Sequence, residues 1–155
     1  MSRRRGRGLL TRALETVVVV SHLYARPTDP TPPTVADGYQ VRPANEADLA
    51  RIATDLGDEL TARKAGLIRE RAGRTDHTVF VAVTDAGEVA GFGHTEHGRV
   101  ADAHLRLDLG EAPGVAHLFD DYVASRHRGH RLQGSILTAR VAEAAARGAH
   151  TATIL

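Results

Sequence analysis

The residues best suited to chemistry lie in one run: Asp120-Asp121-Tyr122-Val123-Ala124-Ser125-Arg126-His127-Arg128-Gly129-His130-Arg131-Leu132-Gln133-Gly134-Ser135. A strand ends, a basic turn containing glycine follows, and a helix begins within it. The first backbone N–H groups of a helix have no internal partners and sit at the positive end of its dipole, so such a turn is an anion site by construction. Arg126, Arg128 and Arg131 add charge suited to phosphate oxygens. The residues alone thus predict a phosphate or pyrophosphate ligand, against the plainer reading of an arginine-rich surface loop that binds nothing. Two familiar phosphate signatures do not fit. Gly-x-x-x-x-Gly-Lys-[Ser/Thr] fails because the only lysine is Lys64, and no Gly-x-Gly-x-x-Gly follows this strand.

The elements that must position this run follow from periodicity and turn residues. Residues 16 to 24 are rich in β-branched side chains and read as a short strand, followed by an extended linker through Pro27, Pro30, Pro32 and Pro33. Tyr39 to Arg42 reads as the first strand of the main domain. Asn45 and Asp48 resemble a helix cap before Leu49, Ile52, Ala53 and Leu56, and helical spacing continues, with breaks at Gly57 and Gly66, to about Arg71. His77 to Thr84 and Glu88 to His97 form a hairpin around Asp85-Ala86-Gly87. Arg99 to Leu109 alternates imperfectly and reads as an irregular strand or loop. Val115 to Ala124 is a strand, Gly134 to Arg147 a helix closed by Gly148, and His150 to Leu155 a last strand. This order implies an α/β (α+β) chain with a mixed sheet flanked by helices.

The loop resembles the coenzyme A pyrophosphate loop of the GNAT N-acetyltransferase superfamily, in which a strand and Val-x-x-x-x-Arg-Gly-x-Gly-x-Gly/Ala precede a helix. Val123, Arg128, Gly129 and Leu132 match, and in one branch of the family Asp120, His127 and His130 match as well. Arg131 replaces the first of the paired loop glycines and Gln133 the following Gly/Ala, so Arg131 is expected to strain the loop if it keeps the glycine's backbone conformation. The element order from Tyr39 onward also resembles that family. The resemblance implies a mixed, mostly antiparallel sheet in residues 37–155, preceded by a basic tail, strand and linker in 1–36. Family members continue past the fifth strand into another helix and usually two more strands, so the resemblance implies a domain incomplete at its C-terminus.

The reaction implied is attack of a neutral amine on the thioester of acetyl-CoA, which acts as cosubstrate. It needs a base for the ammonium, N–H groups to polarise the carbonyl and an acid for the thiolate. By this resemblance Asp121 to Val123, Tyr122 included, hold the pantetheine arm through the main chain, and Arg128, Gly129, His130, Arg131, Leu132, Gln133, Gly134 and Ser135 cradle the pyrophosphate. Asp120 and Asp121 are the candidate bases. Neighbouring strand residues point to opposite faces, so at most one of them faces a substrate. His117 is a weaker alternative, and His94, Glu96 and His97 are placed to line the acceptor side. No His-Glu-x-x-His or cysteine-assisted spacing supports a metal, and none is expected.

Composition narrows the partners. The chain has 155 residues, 42% hydrophobic and 25% charged, which is one domain with an ordinary core. The absence of Cys excludes disulfides, thiolate nucleophiles and cysteine-ligated metals. Arg3, Arg4, Arg5, Arg7 and Arg12 carry the basic excess, and without them 15 basic residues face 19 acidic ones. No broad basic face remains for nucleic acid, and 4% aromatics with no Trp gives few stacking platforms. Arg12 and Glu15 interrupt any secretory apolar run, and Val17 to Val20 falls far short of the roughly 20 residues that span a bilayer, so a cytoplasmic protein without membrane contact is expected. The expected partner is a small-molecule amine. An uncovered last strand would favour a homodimer through the sheet edge unless residues 17 to 23 pair with it. The alternative function is a catalytically silent relative that binds coenzyme A or a protein.

Overall fold

A computed structural model describes residues 23–102 and 106–154. Asn45 starts helix α1 (Glu46–Asp55) with a reciprocal cap. Its side chain accepts from the Asp48 N–H, and the Asp48 carboxylate accepts from the Asn45 N–H, both at 2.9 Å. Leu49, Ile52 and Leu56 then share a buried face. Helix α2 (Ala62–Ala72) begins at Thr61, whose hydroxyl accepts from the Lys64 N–H at 3.2 Å.

Both helices pack on one face of a six-stranded sheet. Its strands are β1 (Tyr24–Pro27), β2 (Tyr39–Pro43), β3 (His77–Thr84), β4 (Val89–Asp102), β5 (Leu107–Val123) and β6 (Thr151–Ile154), in spatial order β1-β6-β5-β4-β3-β2. Every neighbouring pair is antiparallel except β5 and β6. Helix α3 (Leu132–Ala146) supplies the crossover that this parallel pair requires and covers the opposite face. The nearly continuous apolar run of β3 follows from burial on both sides. Val79, Val81 and Val83 join the core under α1 and α2, while Phe80 and Ala82 meet Leu132, Ile136 and Ala139 of α3.

Three elements differ from the sequence reading. The segment from Arg99 to Leu109 is a continuation of the β4–β5 pair, with Arg99 opposite Glu111 and Asp102 opposite Leu107. Register shifts at Phe92/His94, His97/Arg99 and Val100/Ala101 break the alternation by which strands are read. Helix α3 starts at Leu132, two residues ahead of Gly134. Of the expected strand at 16 to 24, residues 16–22 lie outside the described residues, and the strand within them is Tyr24–Pro27. It pairs along β6 from Tyr24↔Ile154 to Pro27↔Thr151, so the N-terminal segment covers that edge of the sheet. The proline-rich stretch then runs as a strap over α3. Thr28 Oγ1 donates to the Ala149 carbonyl at 2.7 Å, and Ser135 Oγ donates to the Thr34 carbonyl at 2.8 Å. Among the described residues no helix is long and apolar enough to cross a membrane.

Candidate functional site

After β5, a short 3-10 turn (Ser125–His127) leads into Arg128, Gly129, His130 and Arg131. Gly129 has φ +87°, a left-handed conformation that suits glycine. Arg131 is also left-handed, at φ +57° and ψ +20°, a conformation that costs a side-chain-bearing residue about 1–2 kcal/mol. It occupies the N-cap position of α3 without a capping side-chain bond. The first bond of that helix runs from the Ser135 N–H to the Arg131 carbonyl at 3.1 Å, so the N–H groups of Leu132, Gln133 and Gly134 precede it. A hollow of about 320 Å³ lies there between Val123, Arg128, Gly129, Arg131 and Gln133.

The loop's cations are not equivalent. Arg126 is held away from the hollow, with Nε donating to Glu88 Oε1 at 2.8 Å and Nη2 to the Asp55 carbonyl. His127 is fixed between the Tyr39 hydroxyl (3.0 Å) and Glu88 Oε1 (3.2 Å), and the His130 ring lies 5.2 Å from that of Tyr39. Arg128 and Arg131 line the hollow, and Arg128 Nε also reaches the Val123 carbonyl at 3.3 Å. The Ser135 hydroxyl is committed to the strap.

The β5–β6 ladder stops at Leu118↔Ile154, whereas the β4–β5 ladder continues to Gly91↔Val123. Among the described residues, Phe119 to Val123 therefore have a strand on one edge only. A bulge falls in this stretch. Phe92 opposes Tyr122 and His94 opposes Phe119, so Asp120 and Asp121 share the place opposite Gly93, with Asp120 at φ +57°. Gly93 is required there, because a Cβ would sit 2.9 Å from both Arg140 Cζ and Asp121 Oδ1. The Tyr122 ring stacks on Phe92, and its hydroxyl donates to Glu59. Glu59 also accepts from the Ser125 hydroxyl and N–H, and these bonds, that from the Ser125 hydroxyl foremost, hold its pKa down to about 2.

The bulge sends the two carboxylates to opposite faces. Asp121 meets Arg140 of α3 at 2.5 Å, and the fully buried guanidinium also donates to the carbonyls of His94 (2.7 Å) and Phe119 (3.4 Å). Burial pushes the Asp121 carboxyl up and the Arg140 guanidinium down from their ordinary values, each opposed by the charge of the other. Asp120 faces α2, where Lys64 Nζ donates to its oxygens at 2.5 and 2.6 Å and Arg71 Nη1 at 2.7 Å. Burial opposes its ionisation, but the Lys64 hydrogen bond and the charges around it outweigh burial and hold its pKa below the ordinary value.

Asp120 also lines a cavity of about 950 Å³ between α2 and the sheet. Its α2 wall carries Lys64 and Arg71, Arg74 stands just past the end of that helix, and its sheet floor carries His77, Glu96 and Phe119. Of His94, Glu96 and His97, only Glu96 lines it. His94 lies beside the Phe92 and Phe119 rings with neither ring nitrogen hydrogen-bonded, 3.8 Å from Asp120, and burial pushes its pKa down to about 3. His97 takes the other face beside Glu143 (3.4 Å). His117 is buried against Thr153 Oγ1 at 2.9 Å. Asp76, His77 and Glu96 bring possible ligand atoms within 4.8 Å of one another, and Arg74 donates to both Asp76 oxygens, placing a cation there already.

The sequence reading missed Lys64, Arg71 and Arg140 as partners of the two aspartates. Lys64 and Arg71 stand seven positions apart on α2, a helical-face spacing that was legible, whereas Arg140 could be matched to Asp121 only through the bulge.

A mixed sheet with one parallel pair, a bulged strand ending in an anion-suited loop and a crossover helix is the fold of the GNAT acetyltransferases. No protein-family model and no curated protein matches the chain. Solved structures do. The GNAT family N-acetyltransferase YhbS from Escherichia coli, in complex with CoA, superposes with a TM-score of 0.58 at 19% identity, over 81% of this chain and 65% of that one. A transcriptional regulator from Bacillus halodurans C-125 gives 0.55 at 17% identity, over 76% and 81% of the two chains. Glucosamine-6-phosphate N-acetyltransferase from Arabidopsis thaliana gives 0.52 at 20%, also over 76% and 81%. At such identities the likeness establishes the fold; the site must establish the rest.

Proposed function

We propose that the chain is an acyl-CoA-dependent N-acyltransferase that moves an acetyl group from acetyl-CoA to the amine of a small molecule. One observation carries this reading: Asp120 belongs both to the one-sided stretch of β5 that runs up to the anion-suited hollow and to the cavity under α2. The strand edge thus joins a place for a pyrophosphate to a place for an acceptor. YhbS, which shares the fold, was solved with CoA. Leu132, Gln133 and Gly134 N–H groups would hold the pyrophosphate, with Arg128 and Arg131 supplying charge. The open edge of β5 up to Val123 would bind the pantetheine amides as a strand binds a peptide.

Acetyl-CoA supplies the acyl group and a thiol leaving group. The ammonium of the acceptor must lose one proton before attack and a second as the amide forms, the second ending on the departing sulfur. Asp121 is withdrawn to the α3 face, so of the two aspartates Asp120 serves the cavity. Held ionised by Lys64 and Arg71, it is already matched by two cations and is a weak proton acceptor. Glu96, buried in the floor with no hydrogen bond to its carboxylate among the described residues and Arg74 at 3.9 Å, is the group we assign to take the first proton. Thiol release from acetyl-CoA, measured across a panel of amines, tests the proposal. Amine-dependent release, reduced about a hundredfold in Glu96→Gln, is expected. CoA binding without release for any amine would contradict catalysis and favour the silent, CoA-binding alternative.

A further inference from the structure

The cavity under α2 is polarised, and its polarity points to one class of acceptor. Its α2 wall presents Arg63, Lys64 and Arg71, with Arg74 just past the end of the helix, whereas the sheet presents Glu96, Asp102 and Asp120, with Arg99, paired with Asp108, as the cation on that side. Most of these charges are already matched. Lys64 and Arg71 hold Asp120, and Arg74 donates two bonds to Asp76. Two charges are left without hydrogen bonds among the described residues. Arg63 stands exposed at the cavity with neither a hydrogen bond nor an ion pair. Glu96 lies on the floor with its side chain 7% exposed, no hydrogen bond, and only Arg74 at 3.9 Å. A buried carboxylate without hydrogen bonds is costly, and a ligand N–H group placed on it removes that cost.

We propose that the acceptor is a zwitterion, a small primary amine that also carries a carboxylate or phosphate. Its ammonium sits on Glu96, and its anionic group turns to the α2 wall, where Arg63 is the cation not already engaged. A polyamine fits poorly, since any second ammonium must face the arginine wall. A neutral amino alcohol would leave Arg63 without a counter-charge. This inference rests on the N-acyltransferase reading for its chemistry, but the recognition it describes requires no turnover.

The test is calorimetric titration of the whole chain, alone and with CoA at saturating concentration, with matched pairs of probes. Each amino acid is compared with its amide, O-phosphoethanolamine with ethanolamine, and spermidine serves as the polycation. Parallel titration of CoA alone reports the transferase reading separately. The expected result is that at least one zwitterion binds about tenfold or more tighter than its uncharged-tail counterpart and than spermidine. Arg63→Ala should abolish that preference, and Glu96→Gln should weaken both members of the pair, with CoA affinity unchanged in both variants. Equal binding within every pair, a preference for spermidine, no binding by any probe, or a preference that survives Arg63→Ala would each overturn the zwitterion. If CoA does not bind while zwitterions do, the transferase reading falls and the polarised pocket stands.

Discussion

Among the described residues His94 has no hydrogen-bonding partner for either ring nitrogen, and burial holds its pKa at about 3 against the ordinary 6.5. Below pH 6.5 the unfolded chain therefore takes up a proton that the folded chain refuses until about pH 3. Stability is full above that window and falls through it at up to about 1.4 kcal/mol per pH unit. His117, also lowered by burial, adds in the same direction, and the lowered carboxyl of Asp120 adds only at more acid pH. His94→Phe is expected to flatten the fall between pH 6.5 and 5 in urea unfolding; an unchanged slope would show that His94 accepts a proton in the fold. Arg131 makes a second residue-scale prediction. Arg131→Gly relieves a left-handed side-chain-bearing residue, raising stability by about 0.5–1 kcal/mol in denaturant melts, yet weakens CoA about threefold or more by removing a cation from the hollow. Stability and affinity rising together would contradict the place given to this side chain. The conformation of Arg131 was legible in the sequence, because the loop pattern puts glycine at that position.

At the scale of elements, the β5 bulge organises the site by parting Asp120 from Asp121. Arg140 plugs its α3 side, and Arg140→Ala, which leaves the Asp121 carboxylate buried and unpaired, is expected to cost about 3–5 kcal/mol in thermal or urea unfolding. Arg140→Met with Asp121→Leu should recover most of that loss, and a double variant as weak as the single one would show that the bonds to the His94 and Phe119 carbonyls matter more than the ion pair. The strands, α1, α2 and the crossover helix were readable because apolar spacing and the Asn45 cap are local signals. The continuation of β4 and β5 through Arg99 and Asp108 was not, because each bulge reverses the alternation on which the reading depends. For the same reason the sequence yielded two candidate aspartates but not which cation each would meet. Lys64 and Arg71 reach Asp120 across 56 and 49 residues.

Across the whole molecule, residues 24–36 tie the two edges of the sheet together. β1 covers β6, the strap crosses α3 through Thr28 and Ser135, and β2 closes the far edge. Deleting residues 1 to 36 is expected to lower the melting temperature and to raise the sedimenting mass by exposing β6, while unchanged melting and mass would mean that this segment is dispensable to the sheet. The central claim concerns the loop at the other end of β5, and calorimetric titration of CoA into the full chain tests it most directly. Saturable binding is predicted, lost in Gly129→Pro, whose ring cannot adopt φ +87°, and weakened about tenfold or more in Arg128→Ala. A folded chain that takes up no CoA at millimolar concentration, or that binds it equally well in both variants, would contradict the assignment of this loop as the pyrophosphate site.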